Sequence, residues 1–428
     1  MSVILQERNL WEETGGLPIK TPDLLEEKYA DVVIVGGGFT GFSAALTIAE
    51  ERKSVVLLEA NTIGFGGAGR NVGLVNKGLW TEPEKVQSIL GKSEGEKLNS
   101  MLAVAPDLVF DNIKKYHIDC EAIRTGTLHC AHSKSGLADL KERLRQYHAI
   151  GIDAELLSKG ETKEKIGSSI YCGSLLQHGV GTIQPLAYVR GMARAAISAG
   201  ACIYQNTNAT RIERQGETWC VHTSNGKVNA DAVILATNAY HRDLITLGKP
   251  RYTPVHYFQA ATDPLSEDVA RRILPEKQGC WDTATIMSSF RKDEAGRLIV
   301  GGVGSLEHSA SFVHRKWAKH KICSLFPFLD NVKIQHAWHG RIAYTSDNLP
   351  HLVNFGPNAM SIFGYSGRGI GPGTLFGKAI AEFLLTNNIG VLPIEPEKSH
   401  SEVFTAAKKM FYEFGSCVVH GVEASIGR

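Results

Sequence analysis

Apolar residues along the chain fall into short continuous runs and longer interrupted ones. Residues 32–35, 55–58 and 232–235 are continuous and mostly β-branched or Leu, the pattern of strands buried on both faces. Residues 36–41 form a glycine-rich turn after the first run, and 42–51 have helical composition, so 29–59 read as a βαβ unit. Residues 82–116 interleave charges with Val86, Ile89, Leu98, Leu102, Val104 and Leu108, which predicts helix, as does the pattern of 134–149. Residues 123–133 read as a strand. Pro185 opens a predicted helix that is followed by a strand near 202–205. A strand meander follows over 211–240, with Asn225-Gly226 as its hairpin turn. Residues 251–303 alternate like strands. Near residue 370 a second glycine-rich loop leads into a helix. Residues 1–28 read as an irregular arm, broken by Pro18 and Pro22.

The chain has 428 residues, 43% hydrophobic and 21% charged, which is the profile of a two-domain or composite globular protein. A net charge of +2 excludes a general polyanion binder, so no nucleic-acid partner is expected. The eight cysteines form no CxxC pair, so neither a zinc site nor a dithiol centre is expected, and no metal is assigned. Scattered cysteines fit reduced, mostly buried thiols in a cytoplasmic protein. The N-terminus lacks the apolar core of a signal peptide, and no run approaches the ~20 apolar residues of a membrane span.

Candidate chemistry begins at Gly36, Gly38 and Gly41. They form GxGxxG directly after a strand and open a helix, with Glu59 ending the next strand 18 residues after Gly41. Gly36 permits the turn, Gly38 lets a pyrophosphate approach, and Gly41 lets helix and strand pack closely. The helix N-terminus, at Phe39 and Thr40, offers N–H groups to phosphate. Glu59, followed by Ala60, suits the two hydroxyls of an adenosine ribose and repels a 2′-phosphate. This motif does not choose between NAD and FAD. The stretch that follows, "GFGGAGRNVGLV", does: a flavin must be met by close backbone well beyond the pyrophosphate. Gly66, Ala68, Gly69, Gly73 and Leu74 supply small or apolar contacts there. Arg70 offers a charge against the reduced flavin, and Asn71 offers hydrogen bonds.

With these residues in place, the chain resembles the FAD-dependent amine and amino-acid oxidase superfamily that includes D-amino acid oxidase, glycine oxidase and sarcosine oxidase. Within it the chain is most similar to the gamma-glutamylputrescine oxidase and L-pipecolate oxidase branch. The similarity rests on "VVIVGGGFTGFSAALTIAE", "VVLLEA" and "GFGGAGRNVG", with "NLW", "SFRKDEAGRLIVGG", "WHGRIAYTSDNLP" and "GYSGRGIGPGTLFGK". The branch has a serine where Ala68 stands and a glycine where Val72 stands. The resemblance implies an α/β fold: a Rossmann-like FAD-binding domain assembled from separated segments (29–115, 150–240 and 336–400). To this it adds an α+β substrate domain of mainly antiparallel sheet (116–149 and 241–335). Residues 1–28 form the arm and 401–428 a C-terminal extension.

The resemblance further implies that Gly364, Gly367, Arg368, Gly369, Ile370 and Gly371 face the pyrimidine end of the flavin, where a helix dipole stabilises the reduced anion. Arg368 is left open between flavin and solvent. Gly340 stands where sarcosine oxidases bond the flavin to a cysteine, so FAD is expected to be noncovalent. The substrate-binding and oxygen-activating lysines of those enzymes have no clear counterpart, with Gly371 near one of them. The expected reaction oxidises a C–N bond to an imine by hydride transfer to flavin, followed by hydrolysis. The expected substrate is a small secondary amine or amino acid with an anionic end, and the acceptor is O2 or another oxidant. Alternatives are a dehydrogenase serving a quinone or partner protein, and a flavoprotein that does not oxidise amines. Candidate substrate orienters are His256, Tyr257, Arg291, Arg341, Tyr344 and Arg368, with Arg341 ranked first as the carboxylate clamp.

Overall fold

A computed structural model describes residues 9–245, 249–307 and 311–426. Residues 1–8 of the expected arm, 246–248 and 308–310 of the expected substrate domain, and 427–428 of the extension lie outside the described residues.

Two eight-stranded sheets organise the chain. The first has a parallel centre. Strand Glu27–Val35 pairs on one side with Val55–Leu58 and on the other with Lys227–Leu235, with Val33 beside both Val56 and Val233. Cys202–Tyr204 continues one edge, and Ala359–Phe363 then His351–Gly356 extend the other. The continuous apolar strands are buried because helices cover the sheet: Phe39–Glu50 packs against both Pro185–Ser198 and Ile370–Thr386. Three helices span the stretch predicted as helical, Pro83–Leu90, Lys92–Ala103 and Ala105–Lys115.

The second sheet is antiparallel except where Thr127–Cys130 meets Gly279–Asp282. Its long pair is Thr253–Thr262 with Ile334–Tyr344, which sets His256 opposite Arg341. The fold is thus the expected α/β arrangement, a Rossmann-like unit from separated segments with a mainly antiparallel partner sheet. Three strands depart from the expected division. Ala154–Leu157, Ser174–Gln177 and Ile334–Tyr344 hydrogen-bond into the second sheet, although 150–240 and 336–400 were assigned to the nucleotide-binding part. Strand composition does not reveal which sheet a strand joins; pairing partners do.

Residues 15–26 of the N-terminal arm are irregular, as expected, but a short helix precedes them. Asn9 caps a short helix, Leu10–Thr14, whose Leu10 and Trp11 are fully buried. The C-terminal extension contains a helix, Thr405–Ile426, that lies beside Ser311–Leu325 against the second sheet. All eight cysteines are free, four of them buried and Cys202 exposed.

Candidate active site

One cavity of about 1600 Å³ runs from the glycine turn of the first sheet to the face of the second. Gly36 has φ +113°, and a Cβ there would lie 2.7 Å from the Ala236 carbonyl oxygen, so the turn requires glycine. A Cβ at Gly41 would sit 1.9 Å from the Gly36 oxygen, which is the close strand–helix approach the motif predicts. Gly38 caps helix Phe39–Glu50, and a Cβ on it would meet only Ala68 at 3.8 Å, standing in the cavity itself. Glu59 accepts the Gly37 N–H at 2.7 Å and the Asn61 N–H at 2.9 Å. Burial raises its carboxyl above the usual range, against those backbone bonds. Each oxygen keeps a lone pair for a ribose hydroxyl. A helix N-terminus, a side-chain-free approach and a buried carboxylate on one wall are the donor set a dinucleotide requires.

Of the residues singled out in the sequence, Phe39, Thr40, Ala60, Gly66, Ala68, Arg70, Asn71, Leu74, Gly367, Arg368, Gly369, Ile370 and Gly371 line the cavity. His256, Tyr257, Arg341 and Tyr344 do so as well. Gly41, Gly69, Gly73 and Gly364 do not; they permit close packing behind it. Cβ atoms at Gly69 and Gly73 would lie 2.2 and 2.1 Å from the Gly64 and Ile183 oxygens, and one at Gly364 2.7 Å from Thr345 Cγ2. Thr40 Oγ1 and the Tyr365 hydroxyl are 2.9 Å apart, tying the two glycine-rich helix starts together.

The polar groups of the loop that carries Arg70 and Asn71 also hold the loop itself. Arg70 donates from Nε to the Phe65 carbonyl at 2.8 Å and from Nη1 to the His339 carbonyl at 2.9 Å. It staples the loop to the second sheet. Asn71 spends its amide on the loop: Nδ2 donates to the Gly67 and Ala68 carbonyls, and Oδ1 accepts from the Gly73 N–H. The carbonyls of Gly69, Arg70 and Asn71 accept from Asn9, Trp338 and Trp11. Such a loop cannot collapse, and it holds its backbone ready for a ligand. Arg291 lies outside the cavity lining, fully buried, donating to the Ile183 carbonyl with Glu121 nearby at 3.9 Å. Local sequence cannot distinguish such an arginine from a substrate ligand.

At the second sheet, Arg341 is half-exposed, 3.5 Å from Glu307 and stacked near the Tyr240 ring. Arg368 is buried. Its guanidinium lies 4.5 Å from the Trp80 ring centroid and 5.3 Å from that of Trp281, and Nη1 donates to the Lys77 carbonyl at 2.8 Å. Its Nε is buried without a partner, and burial pulls the group down to about 10. Arg143 stands nearby, donating to the Trp80 carbonyl at 2.7 Å, the Glu82 carboxylate at 2.6 Å and the Tyr147 hydroxyl at 3.4 Å. His129 stacks on Trp281 at 5.0 Å and is held neutral by burial, with both arginines adding to the effect. Arg143 is offset here by Glu82, whereas the hydrogen bond of Arg368 to Lys77 goes to a neutral carbonyl. Helix Lys134–Ala149 carries Arg143 on its buried side, a charged residue on an apolar face that was the available sequence signal.

His256 is buried with Nδ1 2.9 Å from Glu413 Oε1 of the C-terminal helix, while Nε2 has no partner. Burial lowers its pKa, outweighing the glutamate. Tyr257 donates to Ser289 Oγ at 3.1 Å. Tyr344 packs edge-on to Tyr412, and burial pushes its hydroxyl up to about 12. Gly340 lines the cavity beside Arg70 and Tyr240, and no cysteine is among the lining residues described.

A nucleotide turn, a buried carboxylate beside it and a second sheet closing the cavity fit a dinucleotide-dependent oxidoreductase. Comparison with known proteins makes that class specific. The family model described as DAO, FAD dependent oxidoreductase, matches residues 31–383. Gamma-glutamylputrescine oxidoreductase of Escherichia coli strain K12 is 34% identical over 367 residues, 85% of each chain. A probable oxidoreductase OrdL of Haemophilus influenzae is 32% identical over 384 residues, 88% of each. The crystal structure of glycine oxidase from Geobacillus kaustophilus shares the fold, with TM-score 0.67 at 22% identity over 84% of this chain and 95% of that one. The chain belongs to the DAO family of FAD-dependent oxidoreductases, and its cofactor is FAD.

Proposed function

We propose that the protein oxidises the C–N bond of a secondary amine or amino acid bearing an anionic group, to an imine that water hydrolyses. The similarity to gamma-glutamylputrescine oxidoreductase and to glycine oxidase supports the amine class. The observation that carries the reading is Arg368, a buried guanidinium with an unpartnered Nε on the wall of a cavity continuous with the nucleotide turn. Bound FAD supplies the two-electron acceptor. Arg368, with Arg143 behind it, holds the substrate's anion by charge-assisted hydrogen bonds between Trp80 and Trp281. This replaces Arg341, which its exposure and its partner Glu307 make the weaker clamp. His256 is kept neutral, and with Glu413 on Nδ1 its Nε2 is the proton acceptor for a substrate ammonium. Tyr257 and Tyr344 fill the wall between these groups and exclude water.

FAD is held noncovalently, a reading supported by the lack of cysteine in the described cavity lining. Free thiols support a cytoplasmic location. Electrons pass to O2, giving hydrogen peroxide, or to a quinone or partner protein. The test is product capture. Turnover of a panel of N-alkylated and primary amino acids with an artificial acceptor, followed by hydrazine trapping, should give a carbonyl from the oxidised carbon. Flavin reduction without a trapped carbonyl would show that the oxidised bond is not C–N.

A further inference from the structure

Helix Thr405–Ile426 turns one face inward and another to solvent, and the outer face is apolar. Phe411 and Phe414 are each 74% exposed, Met410 is 70% exposed, and Val418 and Val422 continue the line. The steps from 411 to 414, 418 and 422 keep these side chains on one stripe. The charged residues of the helix lie off it. Glu413 binds His256, Glu423 accepts from Trp317 at 2.6 Å, and Lys408 pairs with Glu402. Lys409 and Tyr412 line the catalytic cavity, so the back of the stripe is part of the active-site wall.

The neighbouring helix supplies a charge pattern. Ser311–Leu325 packs alongside, with His314 against His420 and Trp317 stacked on His420 at 4.1 Å. Its sequence contains Arg315, Lys316, Lys319 and Lys321 and no acidic residue. Phe312, Lys316 and Lys319 are exposed. Both helices cover the second sheet and pack on each other, so exposed apolar and basic side chains stand on adjacent helices. Exposed apolar surface of this extent marks an interaction site.

We propose that this two-helix face docks on the surface of an anionic lipid bilayer. A stripe from Met410 to Val422 is about 18 Å long and about 10 Å wide. Lys316 and Lys319 stand exposed on the helix beside it, and lysine is depleted from protein–protein interfaces but attracted to anionic headgroups. Shallow insertion of aromatic and aliphatic side chains beside lysines is instead how helices lying in a bilayer surface bind. No described helix is long and apolar enough to cross a membrane, so the contact is peripheral. Docking sets the wall of the cavity against the lipid, where a quinone is found.

The test needs no substrate, so its outcome is independent of the reaction proposed above. The purified FAD-loaded protein is co-sedimented with phosphatidylcholine vesicles with and without phosphatidylglycerol, and its oligomeric state is measured by light scattering. It should sediment with the anionic vesicles. The double variant Phe411→Ser/Phe414→Ser should bind them at least tenfold more weakly. Lys316→Glu/Lys319→Glu should lose roughly tenfold on anionic vesicles and little on neutral ones. Both should keep the flavin spectrum, and each tests a separate half of the proposal. Three outcomes would overturn it: no sedimentation with either vesicle, equal binding to both, or a dimer that the phenylalanine variant converts to monomer without any vesicle binding. The last would assign the face to a second copy of the chain.

Discussion

The guanidinium of Arg368 lies 4.5 Å from the centre of the Trp80 ring at the cavity wall, the arginine buried and the indole half-buried. An indole cannot neutralise the charge of an arginine. It leaves the cation desolvated and ready for an anion. Arg368→Met should therefore lower kcat/KM at least tenfold on an acidic substrate, about 1.4 kcal/mol, with FAD content unchanged. The loss should shrink for an analogue whose acid is an amide. Arg341→Met should change kcat/KM by less than Arg368→Met does. The reverse ranking would return the clamp to Arg341.

Glu59→Ala should weaken FAD binding by on the order of 1.5–3 kcal/mol, since charge-assisted bonds to two hydroxyls are lost. Titration of apoprotein by fluorescence quenching measures it. Equal affinities would remove Glu59 as the ribose ligand.

Acid precipitation of the yellow protein should leave all FAD in the supernatant. Flavin retained in the pellet would mean a covalent link, which Gly340 and the cysteine-free lining argue against.

The nucleotide turn was legible because each of its glycines answers a local steric demand, as Gly36 and Gly41 show. The substrate end was not. Arg341 and Arg368 sit in similar glycine-bearing segments, and only tertiary packing buries one against two indoles and leaves the other beside Glu307. Arg143 and Glu413 reach the site from helices far apart in sequence. Asn71 lines the cavity as expected, but its internal bonds to Gly67 and Ala68 appear only once the loop has closed.

His351 gives a pH-dependent contribution to stability. Burial lowers its pKa, but hydrogen bonds to Asp347 and Glu397 outweigh that and raise it to about 9. Its folded pKa is above its unfolded value of about 6.5. The stabilisation is thus complete below about pH 6.5 and is lost as pH rises through 9, on the order of 3 kcal/mol in all. Relative to His351→Gln, the wild type should lose its Tm advantage between those values. A constant difference across that window would show that His351 is not charged in the folded protein.

The most direct test of the account is anaerobic mixing of the FAD-loaded protein with amines while flavin absorbance is recorded. Amino acids and N-alkylated amino acids, each with its decarboxylated counterpart, should be compared. The account predicts that at least one acidic amine bleaches the flavin at least tenfold faster than its decarboxylated partner, and that Arg368→Met removes most of that preference. A flavin that no amine bleaches, or one bleached equally with and without the carboxylate, would contradict it.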